Sequence, residues 1–456
     1  MTERTAETKA RRAMRPERVL AVGFLALIVL GTALLALPFA TQDGQSIGVF
    51  NALFTATSAV CVTGLVVVDT ATTFSLFGQI VLLLLIQCGG LGFMVFATLI
   101  MVAMGRKITL RDRMLIRESM NASSMSGLVR LTKVYGLMAL AIELAGAALL
   151  AVRFIPAYGW ARGGWYALFH AVSAFCNAGF DLIGGSLTAY RSDAYLLLVI
   201  SALIILGGTG FAVLLELMNS RRGWRALTLH TRIVLMATAG LLVAGTVFYA
   251  VLEWSNPATL ALPGADSTGE KLLNAFFQSV TMRTAGFNSV DLNEMRDASK
   301  VFSAGLMFIG ASPASTGGGV KTTTISVLFL ILISVIRGHS DVNVMGKRLP
   351  QDMMRRAIAL LMIVLIALVA GTIAITVIEQ DDVPFVDILF ETASALGTVG
   401  VSSFGTAALH PVSQALLIMM MFFGRVGLLT IATALANKQN DSRNRMRYPE
   451  ESMMIG

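Results

Sequence analysis

Four short segments of the chain carry one pattern. They are Ala52–Leu65 (ALFTATSAVCVTGL), Ala167–Phe180 (ALFHAVSAFCNAGF), Asn274–Phe287 (NAFFQSVTMRTAGF) and Ile388–Val401 (ILFETASALGTVGV). In each, an aromatic is followed by small and hydroxyl-bearing residues, then by a glycine with an apolar neighbour. The glycines Gly64, Gly179, Gly286 and Gly400 stand 115, 107 and 114 residues apart. So nearly constant a period marks an internal repeat, and its length makes each repeat a unit of several elements.

The surroundings repeat as well. Each segment follows a long apolar run (residues 20–40, 131–155, 233–252 and 358–378) and precedes another (74–104, 194–218, 301–336 and 412–435). As helices these runs cross the roughly 30 Å of hydrocarbon in a bilayer. The repeated segment itself suits a short re-entrant helix, not a span. Composition agrees: of 456 residues, 55% are hydrophobic and 14% charged, against about 25% charged in soluble domains. The basic N-terminus resembles that of a signal peptide, but residues 20–40 are long for its apolar core and are read as the first membrane helix.

Charge gives the topology. The formal net charge is +8, yet the positives do not form a nucleic-acid surface. Arg4 to Arg18, Arg106 to Arg117, Arg221 to Arg225, Arg337 to Arg356 and Lys438 to Arg447 flank apolar runs, as cytoplasmic anchors do under the positive-inside rule. Asp69, Asp181, Asp193, Asp266, Glu270, Asp291, Glu294, Asp381 and Asp382 fall on the other side. Both termini are then cytoplasmic, and all four repeats run parallel, able to ring one axis. The expected fold is an all-α polytopic membrane protein of eight crossing helices and four re-entrant helices around one central pore. Its boundaries are a tail at 1–16, repeats at 17–120, 121–229, 230–346 and 347–437, and a tail at 438–456. Cys61, Cys88 and Cys176 have no metal-site spacing, and their odd number forms no disulfide framework.

Irregular backbone survives at membrane depth only where protein buries it or water wets it. Four such loops around one axis place rings of carbonyl oxygens toward a centre, the device by which filters replace an ion's hydration shell. Glycine permits the φ > 0 conformations this needs. The loops are Val62-Thr63-Gly64, Asn177-Ala178-Gly179, Thr284-Ala285-Gly286 and Thr398-Val399-Gly400. None carries a carboxylate, so carbonyls rather than a charged side-chain ring select a monovalent cation.

Two features interrupt the crossing helices. Residues 301–336 would make a helix of about 54 Å, but Gly310-Ala311-Ser312-Pro313-Ala314-Ser315-Thr316-Gly317-Gly318-Gly319-Val320-Lys321 lies inside. Pro and repeated Gly break helices, so a loop is expected in the second helix of the third repeat alone, below the glycines and suited to gating. It is no phosphate loop, because Val320 rather than glycine precedes Lys321 and no strand leads in. Arg425 stands alone in an apolar run. A charge there is costly unless paired or hydrated. Pairing with carbonyls of the interrupted helix would make it a positive barrier to cations. Arg283, three residues before Gly286, is expected to brace the third loop.

The four loops, the Gly-rich interruption and the Gly424-Arg425 pair resemble the Trk/Ktr/HKT superfamily of K⁺ transporters over nearly the whole chain. The pattern is most similar to the membrane subunits of bacterial Ktr systems, since no extra helix pair precedes the first repeat. The resemblance implies K⁺ uptake in a bacterial inner membrane and a homodimer with one pore per subunit. It also implies a cytoplasmic octameric ring of RCK domains (KtrA-like) that binds ATP or ADP, with Na⁺ as a possible activator. The chain itself would hold no cofactor beyond transported K⁺. In HKT relatives serine at the first loop's glycine accompanies Na⁺ selectivity, so Gly64 implies K⁺. The alternatives are a Na⁺ or non-selective carrier of the same superfamily, or a secondary K⁺ symporter. A voltage-gated channel would need an arginine ladder, and no His-rich or Glu-rich intramembrane cluster points to an enzyme.

Overall fold

The computed structural model describes residues 16–104, 114, 127–220, 223–261, 267–339, 341–380 and 382–427. The first quarter of the chain forms α1 (Pro16–Leu35), α2 (Val49–Val60), α3 (Leu76–Leu91) and α4 (Phe93–Ala103). The second forms α5 (Leu128–Tyr158), α6 (Trp160–Phe175), α7 (Ala194–Thr209) and α8 (Phe211–Asn219). The third forms α9 (Leu229–Glu253), α10 (Thr268–Thr281), α11 (Asp297–Phe308) and α12 (Thr322–Ile336), and the last α13 (Gln351–Glu379), α14 (Phe385–Gly397) and α15 (Pro411–Val426).

The long helices α1, α5, α9 and α13 are apolar enough to cross a membrane, and the α13 window reaches a mean hydropathy of 3.0 with only 22% of it buried in protein. Their outer faces, such as Leu137, Val243 and Ile366, are exposed, as lipid requires. The short helices differ. In α6 every residue from Ala167 to Phe175 except Leu168 is buried, and α14 is buried without a break from Phe390 to Gly397. These helices sit among other helices. Capping explains where several elements begin. Ser75, Asp193, Thr228 and Ser267 each accept a hydrogen bond from the backbone N–H three residues on, satisfying first-turn donors.

Packing closes on itself. In each quarter the short helix lies against the long helix before it: α2 on α1, α6 on α5, α10 on α9 and α14 on α13. It also meets the helix that follows the previous short helix. Thus α3 touches α6, α7 touches α10, α11 touches α14, and α15 returns to touch α2. A short hairpin, Asn343–Val344 with Lys347–Arg348, links α12 to α13. Its turn places Met345 at φ 48° and Gly346 at φ 77°, the left-handed pair of a two-residue hairpin turn.

One expectation is corrected. Among the described residues three of the second helices, not one, are interrupted. α3 gives way to α4 at Gly92 (φ +83°), and α7 turns by 99° into α8 at Gly210 (φ +98°). α11 and α12 flank the loop 309–321, and α15 ends at Gly427 (φ +91°). The basic residues at 4–15, 106–113, 117, 221–222 and 438–447, together with Asp266, Asp381, the tail 438–456 and residues 428–435 of the expected last span, lie outside the described residues.

Candidate functional site

The C-terminal ends of α2, α6, α10 and α14 converge, and the four glycine loops follow them. The first residue of each loop has left-handed backbone: Val62 at φ 56°, Asn177 at 58°, Thr284 at 69° and Thr398 at 52°. The glycine does too, with Gly64 at 95°, Gly179 at 69°, Gly286 at 87° and Gly400 at 92°, whereas the middle residue does not. Alternation of this kind turns successive carbonyls toward one side. It is costly at β-branched Val62, Thr284 and Thr398, by roughly 1–3 kcal/mol each. Four equal outliers at four equivalent positions point to a function that requires them.

The loops also touch in a ring. A Cβ at Gly64 would lie 2.5 Å from the Ala178 carbonyl oxygen, one at Gly179 2.6 Å from the Cα of Gly286, one at Gly286 2.8 Å from the Val399 oxygen, and one at Gly400 1.8 Å from the Thr63 oxygen. No side chain fits at any of the four. Behind them, a hydroxyl in the last turn of each short helix holds the loop. Ser58 Oγ accepts from Gly64 N at 3.0 Å and Ser394 Oγ from Gly400 N at 3.1 Å. Ser173 Oγ donates to the Phe180 carbonyl at 2.8 Å and Thr281 Oγ1 to that of Phe287 at 2.6 Å. Sequence reasoning noted hydroxyls in the repeat without assigning them this place. The third loop is one residue shorter: Ala285 N bonds four residues back to Thr281, where Thr63, Ala178 and Val399 N bond five back.

On one side of the ring a cavity of about 900 Å³ opens, lined by all four glycines and by Asp69, Asp181, Asp291 and Glu294. On the other side lies the interruption between α11 and α12. Gly317 and Gly318 lie so close beneath the loops that a Cβ on them would stand 2.1 Å from Thr284 Oγ1 and 2.2 Å from Thr398 Oγ1. The interruption is tied to the second quarter of the chain: Ser312 N bonds Gly208 O at 3.0 Å, Thr316 Oγ1 donates to Phe175 O at 3.0 Å, and Phe211 N bonds Ala314 O at 2.9 Å. Gly310 N bonds Val320 O at 2.9 Å, closing its base. Lys321 Nζ donates to Gly317 O at 2.8 Å.

Arg425 reaches this loop from α15. It donates through Nη1 to the Thr316 carbonyl and through Nη2 to the carbonyls of Gly89 and, at 3.2 Å, Gly90. It therefore links the interruption to the end of α3. Arg283 is buried just before Thr284, and its Nε has no partner among the described residues. Among the same residues no cluster of His, Cys, Asp and Glu is able to hold a metal.

A second recurring set went unnoticed in the sequence. Gly89-Gly90-Leu91-Gly92, Gly207-Gly208-Thr209-Gly210, Gly310-Ala311-Ser312-Pro313 and Gly424-Arg425-Val426-Gly427 begin 25, 28, 24 and 24 residues after the respective loop glycines. A Cβ at Gly89, Gly207 or Gly424 would lie 2.1, 1.9 or 2.1 Å from the last-turn carbonyl oxygen of Val60, Phe175 or Leu396. The spacing of these glycines was the available signal. It also shows that Arg425 occupies the position of Gly90, Gly208 and Ala311.

A sequence profile of the TrkH cation transport proteins matches residues 2–445. The chain belongs to the TrkH cation transport family. It is 42% identical to the Ktr system potassium uptake protein B of Bacillus subtilis, covering 97% of both chains. It is 39% identical to the potassium/sodium uptake protein NtpJ of Enterococcus hirae, covering 98% of this chain and 99% of that one. Its fold is similar to the crystal structure of the potassium transporter TrkH from Vibrio parahaemolyticus, with a TM-score of 0.68 and 20% identity over 91% of this chain and 85% of that chain. Members of this family transport cations, and a multi-pass membrane protein is what the apolar helices α1, α5, α9 and α13 require.

Proposed function

We propose that this chain is the K⁺-translocating subunit of a Ktr-type uptake system. Four parallel repeats, 17–120, 121–229, 230–346 and 347–437, surround one pore. Their glycine loops form the selectivity filter. The observation that carries the reading is the alternation of backbone hand at four loops that touch in a ring. Ion coordination by carbonyls accounts for that strain recurring four times at one place. The acidic cavity is then the outer mouth, and both termini face the cytoplasm.

The loop Gly310–Lys321 acts as the gate, and Arg425 holds it shut by binding Thr316 and the end of α3 together. Glycines at 317 and 318 let the loop close against the inner edge of the filter. "Ktr system" in the names of relatives describes more than one component. That supports a partner component, and in this reading the partner is a cytoplasmic RCK ring, binding ATP or ADP, that pulls the gate open. A homodimer and activation by Na⁺ belong to the same reading, in a bacterial inner membrane.

The test is K⁺ and Na⁺ flux in liposomes containing the chain, with and without a ring protein. Wild type should prefer K⁺, and Gly64→Ser should erode that preference. Preference untouched by substitution at any of the four glycines would sink the filter assignment. A second reading, uptake of both ions, is favoured by the name of the Enterococcus relative. It predicts equal maximal fluxes from the wild-type chain.

A further inference from the structure

The four short helices are not equivalent in charge behind the loops. The position after the aromatic holds Thr55 in α2, His170 in α6, Gln278 in α10 and Glu391 in α14. One turn earlier stand Asn51, Tyr166, Asn274 and Asp387. Only α14 places carboxylates there, and both are buried, at 7% exposure for Asp387 and 3% for Glu391. Removing a carboxylate from water costs several kcal/mol unless it is paired and hydrogen-bonded. A neutral residue fills the same space in three quarters of the chain, so packing alone does not explain a pair of acids.

Apart from Lys300, their partners lie on the one segment that follows Gly400. Asp387 Oδ1 accepts from Lys300 Nζ of α11 at 2.7 Å and from Ser403 Oγ at 2.6 Å. Glu391 Oε1 accepts from Thr406 Oγ1, while its Oε2 has no partner among the described residues. Ser403 and Thr406 follow Gly400 by three and six residues. Thr406 also lines the acidic cavity, and its carbonyl accepts from Gln414 Nε2 of α15 at 3.1 Å. His170 does a similar but neutral job in the second quarter, where its Nε2 accepts from Leu182 N at 3.4 Å.

We propose that Asp387 and Glu391 are positioning residues that fix the fourth filter loop from behind, through Ser403 and Thr406, and so set discrimination among monovalent cations. The inference rests on the filter reading above. Gly400 is held on its inner flank by Ser394, and the Thr63 oxygen stands where its Cβ would be. The outer strand is the side left to be fixed, and the two acids hold it at two points one helical turn apart. Any shift of that strand changes the spacing of the Val399 and Gly400 carbonyls from those of the first loop. Charge-assisted hydrogen bonds are the stronger kind, which suits a strand that must not yield as ions of different size pass.

The test is competition between K⁺ and Na⁺ in liposome flux, scored as the ratio of KM values and corrected for assembled protein. Thr406→Val removes the hydroxyl at nearly constant volume. It should lower K⁺ preference roughly tenfold, the factor of one hydrogen bond to a charged group. Thr406→Ser should restore it. In a Glu391→Gln background, Thr406→Val should add little, because coupled partners are non-additive. Ser403→Ala, which leaves the Lys300 pair intact, provides a second strand variant and should shift the ratio in the same direction. The proposal is overturned if Thr406→Val and Ser403→Ala change maximal flux alone, or if the Thr406 and Glu391 effects simply add. Wild-type and Gly64→Ser chains run alongside. A wild type without K⁺ preference defeats the filter reading itself, whereas a normal response of Gly64→Ser beside inert Thr406 and Ser403 variants defeats only this inference.

Discussion

Arg425 shows how one residue couples distant parts of the chain. Its planar guanidinium donates at once to the Thr316 carbonyl and to those of Gly89 and Gly90, a fork that a lysine ammonium does not reproduce. Hydrogen bonds to a charged group are worth about 1.5–3 kcal/mol each. Removing them should release the loop by roughly tenfold or more in open-state population. Arg425→Ala is therefore expected to raise K⁺ flux in liposomes without a ring protein, with Arg425→Lys in between. If Arg425→Ala abolishes flux while the protein assembles normally, the arginine is not a barrier. The residue itself was legible, because a solitary charge in an apolar run demands a partner. Its partner Gly89 was not, since nothing local in the sequence brings α3 and α15 together.

The second helices show what a single glycine hides. In an apolar run one glycine is an ordinary helix contact, so the Gly-rich stretch at 310–321 stood out while Gly92, Gly210 and Gly427 did not. All three have positive φ. A residue with a side chain in left-handed backbone costs about 1–2 kcal/mol. Gly92 has open space around its Cβ position, whereas a Cβ on Gly210 would lie 2.6 Å from the Pro313 carbonyl of the loop 309–321. The two substitutions should separate. Gly92→Ala is expected to lower the thermal midpoint in detergent modestly and leave flux per assembled protein unchanged. Gly210→Ala should do the same and also displace the loop, changing basal flux. Equal flux from both variants would mean that the bend at Gly210 and the loop move independently. The short helices were easier to foresee. Their small residues and hydroxyls recur because both packing and loop anchoring need them, so two pressures write one pattern.

At the scale of the whole molecule, acidic charge gathers in the cavity beside the four glycines. The cavity above the glycines carries Asp69, Asp181, Asp291 and Glu294 against Arg191. A low-dielectric cleft in which one sign of charge outweighs the other concentrates counter-ions. Asp69 and Asp181 also serve the backbone, accepting from Ala71 N at 3.0 Å and from Gly184 N at 2.8 Å, so neutralising them would disturb loops as well as field. Glu294 is the cleaner probe. Glu294→Gln should raise the KM for K⁺ about two- to threefold at about 10 mM ionic strength, where the Debye length is about 30 Å, and leave maximal flux alone. The effect should vanish near 1 M ionic strength, where that length falls to about 3 Å, with an impermeant salt used to vary it. A KM change that persists at high salt would instead place Glu294 in direct contact with the ion. An unchanged KM at low salt would mean that the field of the acidic cavity does not govern how K⁺ is captured.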